Sequence, residues 1–459
     1  MFTIILIGFL YFIIYGMLAL KNNSLAIWIC LLTAVFCLIL YLSIFKFMPR
    51  DIGALIIVPV VITSFQNIFL GINIDLITAS QIPYLVIINY LYGCIILLIL
   101  LVRNSKRLNI IQIRIGVVLL VLVLFSLIIY FNKPSTMNAF FSSFRNLTCP
   151  IIYFWIGLLL AEKVDFHRML NFLFLLTFLV FIFGIIERFL YQDFWIDLNI
   201  GELWSKNGIY YNHLTGKPYN HYSAERIAGQ NILRMVSGFG EPVNLGTYFA
   251  LMVYLSWWKR NKTIMFISLI GCILTVSKGA LMSILVLGIV LAYYKFSRRS
   301  FYFIAGGFAI LVVFVYSSIN SAGGSMAVHI NGLINAVTQI FQNPLGSGVG
   351  NVGVYGNLYA VSEMNQIQES GLGVVIGQLG IIGLFCYFIF FYVQYKIIHD
   401  NEEQIKRHDK ILVYTLIFSY ALLMFFSESA LGPNASALYL AVTGIVCGKL
   451  HKTGKKNEK

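Results

Sequence analysis

Charge is the scarcest property of this chain. Only 11% of its 459 residues are Asp, Glu, Lys or Arg, where a soluble globular chain carries about a quarter. Acids are the scarcer sign, 18 against 32 bases. These figures exclude an ordinary soluble enzyme, and a hydrophobic share of 59% excludes a disordered chain. The seven cysteines (Cys30, Cys37, Cys94, Cys149, Cys272, Cys386 and Cys447) make no CxxC or metal-ligand spacing. Each lies in or beside an apolar run, where cysteine behaves as a small hydrophobe, so neither a disulfide framework nor a zinc site is expected. No internal repeat of the kind that builds many transporters is visible.

What fills the chain is long apolar runs. A membrane crossing needs roughly 20 apolar residues in a helix. Fourteen stretches qualify: Phe2 to Leu20, Leu25 to Phe45, Ile52 to Ile72, Gln81 to Val102, Ile115 to Phe131, Leu147 to Ala161, Met169 to Ile186, Val243 to Trp258, Thr263 to Val276, Gly279 to Tyr294, Phe301 to Ser318, Gly371 to Tyr395, Ile411 to Ser427 and Ala435 to Leu450. Ile52 to Ile72, Leu147 to Ala161 and Thr263 to Val276 are the weakest of them. The chain is therefore read as an all-α polytopic membrane protein with about 12 to 14 spans. The first run lacks a basic leader and a cleavage site, and is expected to be a retained anchor.

With the amino terminus inside, 23 of the 32 basic residues fall on one face and 9 on the other, which predicts cytoplasmic termini. The net charge of +14 thus has a membrane use, and no nucleic-acid partner is expected. Two long segments, Arg188 to Gly238 and Ile319 to Ser370, fall outside. Loops of such length are usually functional or disordered, and these are aromatic, glycine-rich and poor in proline. The expected organisation is 1–187, amino-terminal helices; 188–238, an outer loop; 239–318, central helices; 319–370, a second outer loop with an amphipathic helix; and 371–459, carboxy-terminal helices and a basic tail.

The outer face holds few ionisable residues. Arg145, in FFSSFRNLTCP, is expected at the mouth of a span, and Arg234 stands in GQNILRMVSGFGEP before another. An arginine at the hydrocarbon boundary either snorkels to headgroups or grips an anion, and its fork suits phosphate. With Arg226 eight residues before Arg234, a diphosphate site is the preferred reading. Lys278, in LTVSKGALMS, is a turn residue or a cation that offsets charge on a leaving group. Met326, Ile330, Leu333, Ile334, Val337, Ile340 and Phe341 recur at helical spacing and predict an interfacial helix, flanked by His329. His329 is an interface histidine or a substrate contact. Gly348 and Gly350 open a formal GxGxxG without the strand and helix of a dinucleotide site; they serve tight turning or close approach to a ligand. Glu369, in QIQESGLGVVIGQLGIIG, either stabilises a helix start or acts as a general base.

RMVSGFGEPVNLG, LTVSKGA, NPLGSGVGNVG and ESGLGVVIGQLGIIG, in this order over Arg234 to Leu384, resemble the O-antigen and capsular polysaccharide polymerases and the related O-antigen ligases. The ligase motif opens with histidine and ends in GxxG; here Gly380 and Gly383 supply the glycines and Glu369-Ser370 replaces the leading pair, which is similar to the polymerases. The resemblance implies a membrane glycosyltransferase fold of the lipid-linked type (GT-C-like). It further implies inverting transfer between polyprenyl-diphosphate-linked oligosaccharides in a bacterial cytoplasmic membrane, without metal or other cofactor. Glu369 would be the base, Arg145, Arg226, Arg234 and Lys278 the diphosphate ligands, and His329, Gly348, Gly350 and Ser370 further substrate contacts. A flippase and a chain-length regulator are candidate companions. The alternatives are a ligase that makes one transfer per acceptor and, in a different class, a flippase for lipid-linked oligosaccharides.

Overall fold

The computed structural model of the protein describes residues 54–72, 74, 77–78, 86–104, 108–206, 216–227, 230–298, 301, 306, 325–354, 356 and 370–457. The expected spans Phe2 to Leu20 and Leu25 to Phe45, and nearly all of Phe301 to Ser318, lie outside these residues. Each of the other expected spans contains a helix. In chain order the helices are α1 (Ala54–Ile72), α2 (Ile88–Asn104), α3 (Ile110–Asn132), α4 (Met137–Leu160), α5 (Phe166–Ile185), the short α6 (Phe194–Asp197) and α7 (Ile200–Lys206), α8 (Pro242–Lys259), α9 (Lys262–Thr275), α10 (Lys278–Lys295), α11 (Ser325–Gln342), α12 (Gly371–His399), α13 (Arg407–Phe426) and α14 (Pro433–Asn457). Six helices among the described residues are long and apolar enough to cross a membrane. The chain is mostly helical, in line with an all-α membrane protein, and the described residues add one short hairpin. Within the first long loop, β1 (Tyr222–Ile227) and β2 (Gln230–Leu233) pair as an antiparallel hairpin, irregular between Tyr222 and Arg226.

Side chains at the helix starts satisfy backbone N–H groups that the helix itself leaves orphaned. Asn109 and Gln112 form a capping box at α3, and Thr136, Asp165, Asn261 and Ser370 cap α4, α5, α9 and α12. Helix α3 shows the bilayer-facing pattern: Val117, Leu120, Leu124, Ile128 and Phe131 are exposed while Ile115, Leu122 and Ile129 are buried. Helix α4 is its opposite, buried along nearly its whole length. It begins ten residues before the expected Leu147, because Ser143, Arg145 and Asn146 are buried against other helices instead of facing lipid.

Helix α4 packs along α14. A Cβ at Gly157 would lie 2.2 Å from the Ala441 carbonyl oxygen, and one at Gly444 would lie 2.2 Å from that of Phe154, so the two backbones touch. Small residues allow such contact where lipid provides no hydrophobic drive for helix association. Buried hydroxyls fix the register of neighbouring helices. Tyr153 donates to the Asn89 carbonyl at 2.6 Å, Tyr387 to that of Leu147 at 2.8 Å, and Tyr254 to Ser283 Oγ at 3.0 Å.

The two ends of the bundle differ in chemistry. At one end lie Lys163, Lys259, Arg407 and Lys410, with Lys259 2.8 Å from His167 Nδ1 and Trp258 bonded to Asp409 at 2.7 Å. The opposite end gathers the hairpin, the α9–α10 turn, the glycine-rich segment after α11 and the α13–α14 turn. Helix α11 packs against α12 and α13, while Ile334, Val337 and Phe341 of its apolar set stay exposed.

Candidate functional site

Helix α12 is broken at Gly380, whose φ of 58° and ψ of −142° are non-helical. The segment after α11 is stitched into the break. Ser347 N–H donates to the Gly377 carbonyl at 2.7 Å, Gly348 N–H to that of Gln378 at 3.1 Å, and Ile381 N–H to that of Pro344 at 2.9 Å. Backbone groups freed by the break are thereby satisfied inside protein, as a membrane-embedded kink requires. Lys133, from the α3–α4 corner, holds the same segment through Asn343 Oδ1 at 2.9 Å and the Gly346 carbonyl at 2.7 Å.

This stitching accounts for the glycines. Gly348 and Gly350 have φ of +105° and +86°. A Cβ would lie 2.8 Å from the Lys133 carbonyl at the first and 2.7 Å from the Ala139 backbone at the second. Both seat the loop on the start of α4. Ser370 is fully buried, caps α12 through Gly373 N–H at 3.2 Å and donates to the Met424 carbonyl at 3.3 Å. Glu369 lies outside the described residues. Arg226 stands on β1 and His329 on α11, with side chains outside the described structure.

Arg234 leaves the hairpin locked at three points. Its own N–H donates to the His221 carbonyl at 2.8 Å, its Nε to the Thr275 carbonyl at 2.8 Å and its Nη1 to the Asn220 carbonyl at 3.2 Å. Thr275 ends α9, and Lys278 opens α10 three residues later. Arg234 and the segment bearing Lys278 therefore meet at one turn. Arg145 is placed differently from the expectation. It sits in the third turn of α4, about 12 Å along the axis from Met137, and is only 5% exposed. Its Nε donates to Asn146 Oδ1 at 3.2 Å.

Sequence reasoning missed two carboxylates that lie between these arginines. Glu241 precedes α8, yet its side chain makes no capping bond. It instead accepts from Ser429 Oγ at 3.3 Å and from Asn244 Nδ2. Burial pushes its pKa up, opposed by the Ser429 bond, the nearby Arg234 charge and the Asn244 bond. Glu428, one residue before Ser429, is buried and accepts the Val354 N–H at 2.8 Å, tying the glycine-rich loop to the α13–α14 turn. That turn also faces α4, since a Cβ at Gly432 would lie 3.8 Å from Asn146 Oδ1. A row of contacts thus runs from Arg234 through His221 to Gly240 and Glu241, and on through Ser429 and Gly432 toward Asn146 beside Arg145. The sequence signal for Glu241 was present in GFGEP, but a glutamate before Pro242 reads as a helix start. Nothing local marks Glu428.

The rest of the first long loop is structural. Glu187 accepts the Val236 and Ser237 N–H groups, each at 3.3 Å. His221 is buried, its Nε2 donates to the Gly240 carbonyl at 3.0 Å, and burial lowers its pKa to about 4. Burial likewise lowers the pKa of Lys217, opposed by Asp193 and Glu187. No protein-family model matches the chain, and no curated protein matches it.

Proposed function

We propose that the protein is a membrane glycosyltransferase that joins polyprenyl-diphosphate-linked oligosaccharide repeat units at the non-cytoplasmic face of a bacterial cytoplasmic membrane, with a GT-C-like architecture and cytoplasmic termini. The reading rests most on the meeting of Arg234 with the α9–α10 turn that bears Lys278. Two cations fixed at one end of a membrane bundle suit a departing diphosphate, because preorganised donors stabilise developing negative charge without reorganising. Arg145 and Arg226 complete the cationic set.

In the reaction, the acceptor hydroxyl oxygen bonds to the anomeric carbon of the donor. The bond from that carbon to the diphosphate oxygen breaks, and its electron pair leaves with the diphosphate. The acceptor proton passes to Glu369. His329 on α11, Gly348 and Gly350 in the glycine-rich segment and Ser370 at the start of α12 are the further residues assigned to the site. Of these, Gly348, Gly350 and Ser370 act by shaping the backbone, since their neighbours already occupy the space around them.

A strain carrying Glu369→Gln tests the proposal. The substitution preserves size and removes the base, so surface glycan should fall from a ladder of lengths to single repeat units, at normal protein levels. Chains of ordinary length from that strain would overturn the assignment.

A further inference from the structure

At the start of α8 the structure gathers more hydrogen-bond acceptors than donors. Asn244 is 6% exposed. Its Nδ2 must face the Glu241 carboxylate, because the amide oxygen there would meet a like partial charge. That fixes Oδ1 on the other edge, where it finds no hydrogen-bond partner among the described residues. Asn220, whose backbone carbonyl holds Arg234, likewise has a buried Oδ1 with no partner among them. The half-buried Glu241 carboxylate accepts from Asn244 and Ser429, and beside it the Gly240 carbonyl accepts from His221, the neighbour of Asn220. A buried acceptor left without a partner is destabilising, so this arrangement is matched to a ligand that brings donors. An anion alone would meet a carboxylate and two amide oxygens.

We infer that Glu241, Asn244 and Asn220 form a sugar subsite that receives hydroxyl groups of the residue attached directly to the diphosphate gripped by Arg234. The inference rests on the proposed function and deepens it: the cluster selects the first sugar of the lipid-linked donor. Hydroxyls of a pyranose supply several donors in a small space, and a carboxylate accepts from two of them at once. Arg234 donates to the Asn220 backbone carbonyl at 3.2 Å, which sets sugar and diphosphate contacts side by side.

The test is equilibrium binding to the full chain in nanodiscs, read by native mass spectrometry. The probes are undecaprenyl diphosphate and a panel of the same lipid carrying one hexose or N-acetylhexosamine. The wild type should bind at least one glycosylated lipid ten-fold or more tightly than the bare lipid. Glu241→Gln should cut that preference below three-fold while binding bare diphosphate as tightly or more tightly, because a negative charge near Arg234 is gone. Asn220→Ala, which leaves the backbone carbonyl on Arg234 in place, should weaken only the glycosylated lipid. Equal wild-type affinity for bare and glycosylated lipids overturns the subsite alone. Parallel loss of both ligands in Glu241→Gln also overturns it, in favour of a scaffold role. Failure of the wild type to bind any of these lipids overturns the proposed function as well.

Discussion

Replacing Gly380 by alanine tests the junction on which the loop end is built. The residue holds φ of 58° and ψ of −142°, a conformation close to the region that glycine alone occupies and that costs other residues about 1–3 kcal/mol. The added methyl would also lie 2.0 Å from the Pro344 carbonyl oxygen, the acceptor of the Ile381 N–H. Relief requires Pro344 to withdraw, which gives up that bond, worth about 1 kcal/mol. The sum is about 3 kcal/mol against the stitched arrangement. At 1.36 kcal/mol per decade, that lowers its population relative to the detached one roughly a hundred-fold. Gly288→Ala is the control, because that glycine in α10 has nothing within 4 Å and alanine there raises helix propensity by up to about 1 kcal/mol. Limited proteolysis between Asn343 and Val354 should accelerate in Gly380→Ala and not in Gly288→Ala, and glycan polymerisation should fall with it. Wild-type cleavage rates and wild-type polymer in Gly380→Ala would refute the reasoning.

Three further outcomes follow from contacts elsewhere. Gly444→Ala places a methyl 2.2 Å from the Phe154 carbonyl at the α4–α14 crossing; overpacking there should destabilise by about 1–3 kcal/mol, seen as a lower melting temperature in detergent. Arg234→Lys keeps the charge but loses the fork that bridges Asn220 and Thr275, so polymer should fall sharply while expression holds; a mild effect would mean that the charge alone suffices. His221 should make the loop unit acid-sensitive. Its pKa of about 4 in the fold lies below the ordinary value of about 6.5, so the unfolded chain takes the proton first. The stability is complete above pH 6.5 and declines as pH falls toward 4, by up to about 3 kcal/mol. Fluorescence melts that follow Trp195, edge-on to the His221 ring at 6.3 Å, should show the decline in the wild type and not in His221→Gln.

The helices were legible in the sequence because apolar length is a local property, and each expected span within the described residues is a helix. The exception in detail is α4. Ser142, Ser143, Arg145 and Asn146 lower the hydropathy ahead of Leu147, yet the last three are buried and satisfied within the protein, as Gln378 Nε2 on Ser143 Oγ at 3.2 Å illustrates. The β1–β2 hairpin was hidden by its length, six residues against four. The break at Gly380 was written as the first glycine of a GxxG pattern, but no local signal distinguishes a glycine that packs from one that kinks. Arg234 and Lys278 were singled out from their motifs, and the meeting of Arg234 with the turn that bears Lys278 depends on a hairpin that the sequence did not disclose. Glu241 and Glu428 acquire their partners from residues 188 and 74 positions away, a pairing that only the fold creates.

The central claim is that this one chain elongates lipid-linked glycan. Its most direct measurement is electrophoresis of the products formed when the purified protein, in nanodiscs, receives undecaprenyl-diphosphate-linked repeat units as sole substrate. A ladder of increasing lengths, absent with Glu369→Gln and strongly reduced with Arg234→Lys, is the predicted result. Repeat units recovered unchanged by a folded wild-type protein, across the repeat-unit structures of the source organism, would contradict the account.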